Sequence, residues 1–159
     1  YPTTNSTIAR DISTLYIYIL YKIFTLKPQN KKEFINIICT LLNEVSLSQN
    51  IYDHIMYPIV HMNDDEEETL DYIIGLDGNL CYETLACAIH GVLQNFNNPS
   101  QILSKTIAYG GDCDTIASIA GQLSGALFGE KAVNNLWLNN AKKYKDLTPH
   151  FEKFLTLLK

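Results

Sequence analysis

The chain has 159 residues, 47% of them hydrophobic, with 12 basic and 17 acidic side chains and a formal net charge of −5. That length is enough for one domain with a real core, and no uninterrupted apolar run reaches the ~18 residues of a membrane-spanning helix. The acidic balance argues against general nucleic-acid binding through phosphates, which needs Lys/Arg patches. Cys39, Cys81, Cys87 and Cys113 show no C-x-x-C and no zinc-like spacing. They read as reduced thiols of an intracellular, cytoplasmic protein. The sequon Asn5-Ser6-Thr7 stands alone as a hint of secretion. The chain opens on Tyr1-Pro2 without an initiator Met or a signal peptide, which reads as a piece of a longer polypeptide or a processed chain.

Residues 1–7 are polar and irregular. From Ile8 to Leu26 the apolar residues Ile12, Leu15, Tyr16, Ile19, Leu20 and Ile23 fall at helical spacing, and Pro28 ends the helix. Asn30 with Glu33 reads as a capping box for a second helix, with Phe34, Ile37, Ile38, Leu41, Leu42 and Val45 as its apolar face. A third helix spans Ser48 to Val60, with Pro58 as the place where it could break. His54 and His61 lie two turns apart along it, about 10 Å, too far for one metal ion. They read as ordinary histidines. The acidic run Asn63-Asp64-Asp65-Glu66-Glu67-Glu68-Thr69 reads as a helix N-terminus, where carboxylates complement the dipole, and Leu70 to Ile74 completes that helix.

Gly75 to Leu80 is a turn-rich loop, and Tyr82 to Leu93 is a helix. Asn98 as cap and Pro99 at the first position open a helix that runs to Tyr109. Lys131 to Ala141 is a further helix with Val133, Leu136 and Trp137 facing inward, and Thr148-Pro149 opens a last one from Phe151 to Leu158. No segment alternates with period two. The expected fold is all-α, a compact orthogonal helical bundle forming a single domain over 1–159.

The most informative stretch is Gly110-Gly111-Asp112-Cys113-Asp114-Thr115, which opens a helix reaching Gly129. Two glycines release the backbone into a tight loop. Two carboxylates and a hydroxyl follow at once, with Asp112 at or beside the N-cap, where free backbone N–H groups point outward. At such a junction both carboxylates can turn toward one point. The product is a pocket of hard oxygen ligands that suits Mg²⁺ better than zinc or copper. A plain N-cap accounts for one aspartate but not for Asp-x-Asp-Thr after Gly-Gly. Along the helix, Ala117, Gly121, Gly125 and Gly129 form a stripe at a spacing of four. Glycine in a helix interior costs roughly 1 kcal/mol relative to alanine. The stripe therefore predicts close contact with another helix backbone, and a helix buried at the centre of the bundle.

Gly-Gly-Asp-x-Asp-Thr followed by an Ile/Ala/Gly-rich helix ending in an aromatic and a Gly resembles the C-terminal metal motif of the ADP-ribosylglycohydrolases. These enzymes remove ADP-ribose from protein side chains and related acceptors. The likeness is good from Gly75 onward and looser before it. It implies that Asp112 and Asp114 are catalytic metal ligands, that Thr115 is a third ligand, and that Gly110 and Gly111 meet the substrate beside them. The helix from Tyr82, with its aromatic-Glu-Thr entry, resembles the family's penultimate core helix. The loop before that helix helps hold the adenosine half of ADP-ribose in family members, which assigns Gly78, Asn79 and Tyr82 to the substrate.

The family uses two Mg²⁺ ions. The second ligand set is a Thr-Asp-Asp cluster after a Gly-Asp-Ala-x-Gly start, and neither motif occurs in this sequence. A Thr-His stretch precedes the family's counterpart of the first helix; its equivalent here, near Ser6-Thr7, lacks the His. Mg²⁺ wants about six oxygens, and only the side chains of Asp112, Asp114 and Thr115 are supplied. The resemblance thus implies the C-terminal half of an ADP-ribosylglycohydrolase, a hydrolase of N- or O-glycosyl bonds that reverses ADP-ribosylation. Its implied partners are ADP-ribose or an ADP-ribosylated substrate, and the N-terminal half of the same polypeptide. The alternative is a catalytically inactive member with a binding or structural, crystallin-like role.

Overall fold

Side-chain caps and apolar spacing delimit the helices. In the computed structural model, which describes residues 5–75, 80–144 and 148–157, every regular element is helical. These are α1 Thr7–Leu26, α2 Lys31–Glu44, α3 Gln49–Val60, α4 Glu66–Ile74, α5 Cys81–Gln94, α6 Ile102–Ile107, α7 Cys113–Phe128, α8 Asn135–Tyr144 and α9 Thr148–Leu157. Short 3₁₀ turns at Pro99–Gln101 and Gly129–Ala132 precede α6 and follow α7. The expected all-α class is the class observed.

The ends follow local chemistry. Ser6 Oγ accepts the Ala9 N–H at 3.3 Å to start α1, and Lys27 closes it in the left-handed conformation just before Pro28. Asn30 Oδ1 accepts the Glu33 N–H at 3.0 Å. The Glu33 carboxylate returns to the Asn30 side-chain amide at 2.8 Å and to the Gln29 N–H at 2.7 Å, so the box reaches one residue further back than its usual form. Asp65 accepts from the amides of Glu67 and Glu68 at 2.9 and 3.1 Å, so the acidic run does cap α4. α3 continues through Pro58 without breaking. Ile51, Ile55, Pro58 and Ile59 form one buried stripe, and packing along it outweighs the lost backbone donor in the last turn.

α1 buries Ile12, Leu15, Ile19 and Ile23, and α2 buries Phe34, Ile37, Ile38, Leu41 and Leu42, as their spacing predicts. These faces converge on α5, which is buried over the whole run from Glu83 to Leu93 and is packed against α1, α3, α4, α6 and α7. Small residues (Ala86, Ala88, Gly91) let so many helices approach it. Its buried carboxylate and imidazole are both bonded. Glu83 Oε2 accepts the Leu80 N–H at 3.1 Å. Gln94 donates to His90 Nε2 at 3.4 Å, which leaves the His90 Nδ1–H to donate to the Tyr109 hydroxyl at 2.9 Å. Burial pushes the His90 imidazolium down to about 4, so the ring is neutral at pH 7.

Two expectations are overturned. The helix at the centre is α5, not α7. α7 buries Ile116, Ala117, Ala120, Leu123 and Ser124 but leaves Ser118, Gln122 and Gly125 exposed. A Cβ on Gly125 would meet nothing within 4 Å, and one on Gly121 would meet only the Leu103 side chain at 3.0 Å. The close approach sits instead at Gly91 of α5, where a Cβ would collide with the Thr106 Cγ2 side-chain atom of α6. Spacing shows which residues share a stripe, not which stripe meets a neighbour. The second correction concerns Leu136 and Trp137, which are 65% and 38% exposed rather than inward, while Val133 is half-buried. The 3₁₀ turn delays the helix start, and Asn134 Oδ1 accepts the Leu136 N–H at 2.8 Å. α8 therefore begins at Asn135 instead of Lys131, which rotates the expected face away from the core.

The four cysteines are free thiols, and no helix among the described residues is long and apolar enough to cross a membrane.

Two outcomes follow for stability. Gly91→Ala is expected to cost roughly 1–3 kcal/mol by overpacking against Thr106, whereas Gly125→Ala raises stability by up to about 1 kcal/mol through helix propensity; urea denaturation of both variants separates a packed glycine from an open one. His90 has a folded-state value below its unfolded one, so its contribution is intact above the unfolded value near 6.5 and is lost as pH falls toward about 4. The wild-type chain should lose about 3 kcal/mol across that window from this group, and the unfolding free energy of His90→Gln should fall less steeply there, by about one proton.

Candidate functional site

The loop between α6 and α7 places the candidate ligands. Gly110 and Gly111 both take positive φ, 80° and 59°, which turns the chain sharply from the end of α6 into the start of α7. Asp112 then occupies the N-cap position, but its side chain makes no capping bond to the helix amides. Its Oδ1 accepts instead from the Thr115 hydroxyl at 2.8 Å. Asp114 Oδ1 accepts the Thr115 N–H at 3.0 Å. A hydrogen bond with the Asp112 carboxyl, then the Thr115 and Asp114 amides, holds the Asp114 carboxyl below its ordinary range. The carboxyls of Asp112 and Asp114 and the hydroxyl of Thr115 are thus drawn into one cluster of oxygens. A purely structural N-cap would have turned the Asp112 carboxylate back onto the helix amides.

Asp112 and Thr115 line a cleft of about 230 Å³. Its opposite walls come from Ser13 and Tyr16 of α1 and from Cys81 and Thr84 of α5. Tyr16 donates from Oη to Gln122 Oε1 of α7 at 2.9 Å, which ties the α1 wall to α7. Burial raises the Tyr16 phenol to about 12 and also raises the Cys81 thiol, so both walls are neutral at pH 7. Sequence reading placed Tyr16 in the apolar face of α1 and gave Ser13 no role. Nothing local marks either residue, because α1 reaches the site only through tertiary packing.

Tyr82 does not line this cleft. It lies one residue beyond Cys81 and borders a separate hollow of about 260 Å³ with Asn50, Asp53, His54 and Tyr72. Its ring meets His54 edge-on at 5.1 Å. Gly78 and Asn79 lie outside the described residues. His54 bonds the Ile73 carbonyl through Nε2 at 2.9 Å, and His61 bonds Asp64 through Nδ1 at 2.6 Å, so both histidines serve local structure.

The oxygen cluster fits a hard divalent cation in donor type. It does not complete a coordination shell: among the described residues no group of three or more His, Cys, Asp or Glu side chains could hold a metal ion.

The family model for ADP-ribosylglycohydrolase matches residues 3–158. The chain belongs to the ADP-ribosylglycohydrolase family. Among curated relatives, ADP-ribosylhydrolase ARH3 of Bos taurus is 25% identical over 115 residues, covering 65% of this chain and 32% of the relative. Its Homo sapiens counterpart is 26% identical over 115 residues with the same two shares, 65% and 32%. That of Xenopus tropicalis is 33% identical over 87 residues, 48% of this chain and 25% of the relative. The chain spans about a third of the length of the curated relatives it matches. No solved structure matches it.

In this ADP-ribosylglycohydrolase chain both glycines of the loop take a backbone conformation that favours glycine. A Cβ at Gly110 would touch nothing within 4 Å, so the barrier to a side chain there is conformational alone. Gly110→Ala is expected to cost about 1–2 kcal/mol through the left-handed backbone, with Gly110→Asn recovering part of it; chemical denaturation of the two variants checks the order.

Proposed function

We propose that this chain forms the C-terminal portion of a Mg²⁺-dependent hydrolase that cleaves the glycosidic bond between ADP-ribose and its acceptor, reversing ADP-ribosylation. The observation that carries the reading is the Asp112 carboxylate, which makes no bond to the helix amides and instead accepts the Thr115 hydroxyl at a cleft that both residues line. Mg²⁺, when bound, supplies Lewis-acid polarisation and fixes the orientation of oxygen ligands. Asp112 and Asp114 hold it, and Thr115 adds a hydroxyl whose direction is set by Asp112. Gly110 and Gly111 let the backbone approach the sugar closely. The bond between C1″ and the acceptor breaks through an oxocarbenium-like state, water oxygen joins C1″, and the acceptor leaves with a proton. The family carries two such ions, and the missing ligands come from the N-terminal half of the domain. Free thiols support an intracellular, cytoplasmic setting.

The size of the cleft supports a shared site. Pockets for drug-sized ligands run from about 300 Å³ upward, while this cleft is about 230 Å³. It suits one ribose, and the rest of ADP-ribose needs walls from elsewhere, with Gly78, Asn79 and Tyr82 proposed for the adenosine end. A second reading, an inactive member with a binding or structural role, is favoured by the short ligand set of this chain.

ADP-ribose with Mg²⁺ should raise the Tm of the assembled protein, and Asp114→Asn should abolish the rise. An unchanged Tm in the wild-type assembly at millimolar ligand would sink the proposal. If the shift occurs, a single-turnover assay for release of ADP-ribose from a modified peptide separates the enzyme from the inactive member.

A further inference from the structure

α1 is apolar on two opposite sides. Ile12, Leu15, Ile19 and Ile23 face the core, while Ile17, Tyr21 and Phe24 stand at i, i+4 and i+7 on the outer side, 60%, 58% and 63% exposed. Between Leu15 and Phe24 the sole charged residue is Lys22. A helix that is apolar all round belongs inside a protein rather than at its edge. Beside it, tied on by the Tyr16–Gln122 bond, runs the outer row of α7, Ser118, Gln122 and Gly125, with open space above Gly125. With Ser118 and Gly125 small and Gln122 held down by Tyr16, this row next to an apolar row lets a further helix come close to both.

We infer that the outer face of α1, with the adjoining outer row of α7, is the seat of a helix from the remaining part of the ADP-ribosylglycohydrolase domain. This rests on the reading that the chain is a portion of such a domain. The matched segments cover only about a third of each relative, so a family member has ample chain to supply the missing layer. Charge selects this occupant over a second copy. Residues 8–33 carry five basic side chains (Arg10, Lys22, Lys27, Lys31, Lys32) against Asp11 and Glu33, on a chain whose net charge is −5. A two-fold contact would bring this cationic edge against itself. The seated helix has an apolar face and acidic flanks. Because α1 also supplies Ser13 and Tyr16 to the cleft of Asp112 and Thr115, a segment laid along it reaches the place where ligands are lacking.

The test compares chain 1–159 with the complete translated product of its gene, using nitration of tyrosines by tetranitromethane and peptide mass spectrometry. Tyr21 should react readily in 1–159 and be protected about tenfold or more in the complete product. The triple variant Ile17→Ser, Tyr21→Ser, Phe24→Ser should leave the Tm of 1–159 within about 2 °C, lower its binding of 8-anilinonaphthalene-1-sulfonate, and lower the Tm of the complete product clearly. Equal reactivity of Tyr21 in both proteins overturns the inference. So does a gene product of 159 residues that stays monomeric, or a dimer of 1–159 that the triple variant dissolves. No readout uses ADP-ribose or Mg²⁺, so protection of Tyr21 in a protein that fails the ligand test keeps this inference and discards the proposed function.

Discussion

A helix buried on every side is the constraint on which this structure depends. α5 can accept α1, α3, α4, α6 and α7 around it only because its surface mixes small residues with branched aliphatics, and because its buried carboxylate and imidazole, Glu83 and His90, are bonded. Gly91 is where that demand is sharpest, since the Thr106 methyl of α6 occupies the space a side chain would take. Glu83 and His90 meet it differently, one by capping its own helix and one through Tyr109 and Gln94. Among the described residues no buried side-chain nitrogen or oxygen lacks a partner. A polar atom left unbonded there would cost about 1–3 kcal/mol.

The candidate site is built at the rim of this arrangement, where α7 leaves the core. A buried helix start would need its amides capped. At this more open one Asp114 Oδ1 takes the Thr115 N–H, and the Asp112 carboxylate accepts the Thr115 hydroxyl instead. The positive φ angles of Gly110 and Gly111 set the direction from which Asp112 and Asp114 converge. Packing of α1 and α5 against α7 then encloses the cleft beside them. The oxygen cluster is thus a product of local loop geometry, while the cleft is a product of three helices distant in sequence.

What was legible in the sequence was mostly short-range. The cap at Asn30, the acidic start of α4 and the buried stripes of α1 and α2 follow from spacing and side-chain chemistry, which act within a few residues. The family motif was also legible, because Gly-Gly-Asp-x-Asp-Thr with the helix after it is one long contiguous pattern. Failures came where a distant partner decides. Helical periodicity grouped Ala117, Gly121, Gly125 and Gly129 correctly on one stripe, but that stripe meets Leu103 at one point and open space at another. Pro58 was a plausible break, yet core packing on Ile55 and Ile59 carries α3 past it. Leu136 and Trp137 turned outward because a 3₁₀ turn shifted the helix start by four residues, from Lys131 to Asn135, and a shift of that kind leaves no mark in apolar spacing.

The sequence by itself determined the all-α class, several helix ends set by caps, and the glycine turn of Gly110–Thr115 with its carboxylates and hydroxyl. These depend on backbone and side-chain chemistry confined to one or two turns. The tertiary structure decided that α5 and not α7 is the central helix, that Ser13, Tyr16, Cys81 and Thr84 share a cleft with Asp112 and Thr115, and that Tyr82 faces a different hollow. Those outcomes depend on which faces of separate helices meet, and that is settled by shape and burial over the whole core.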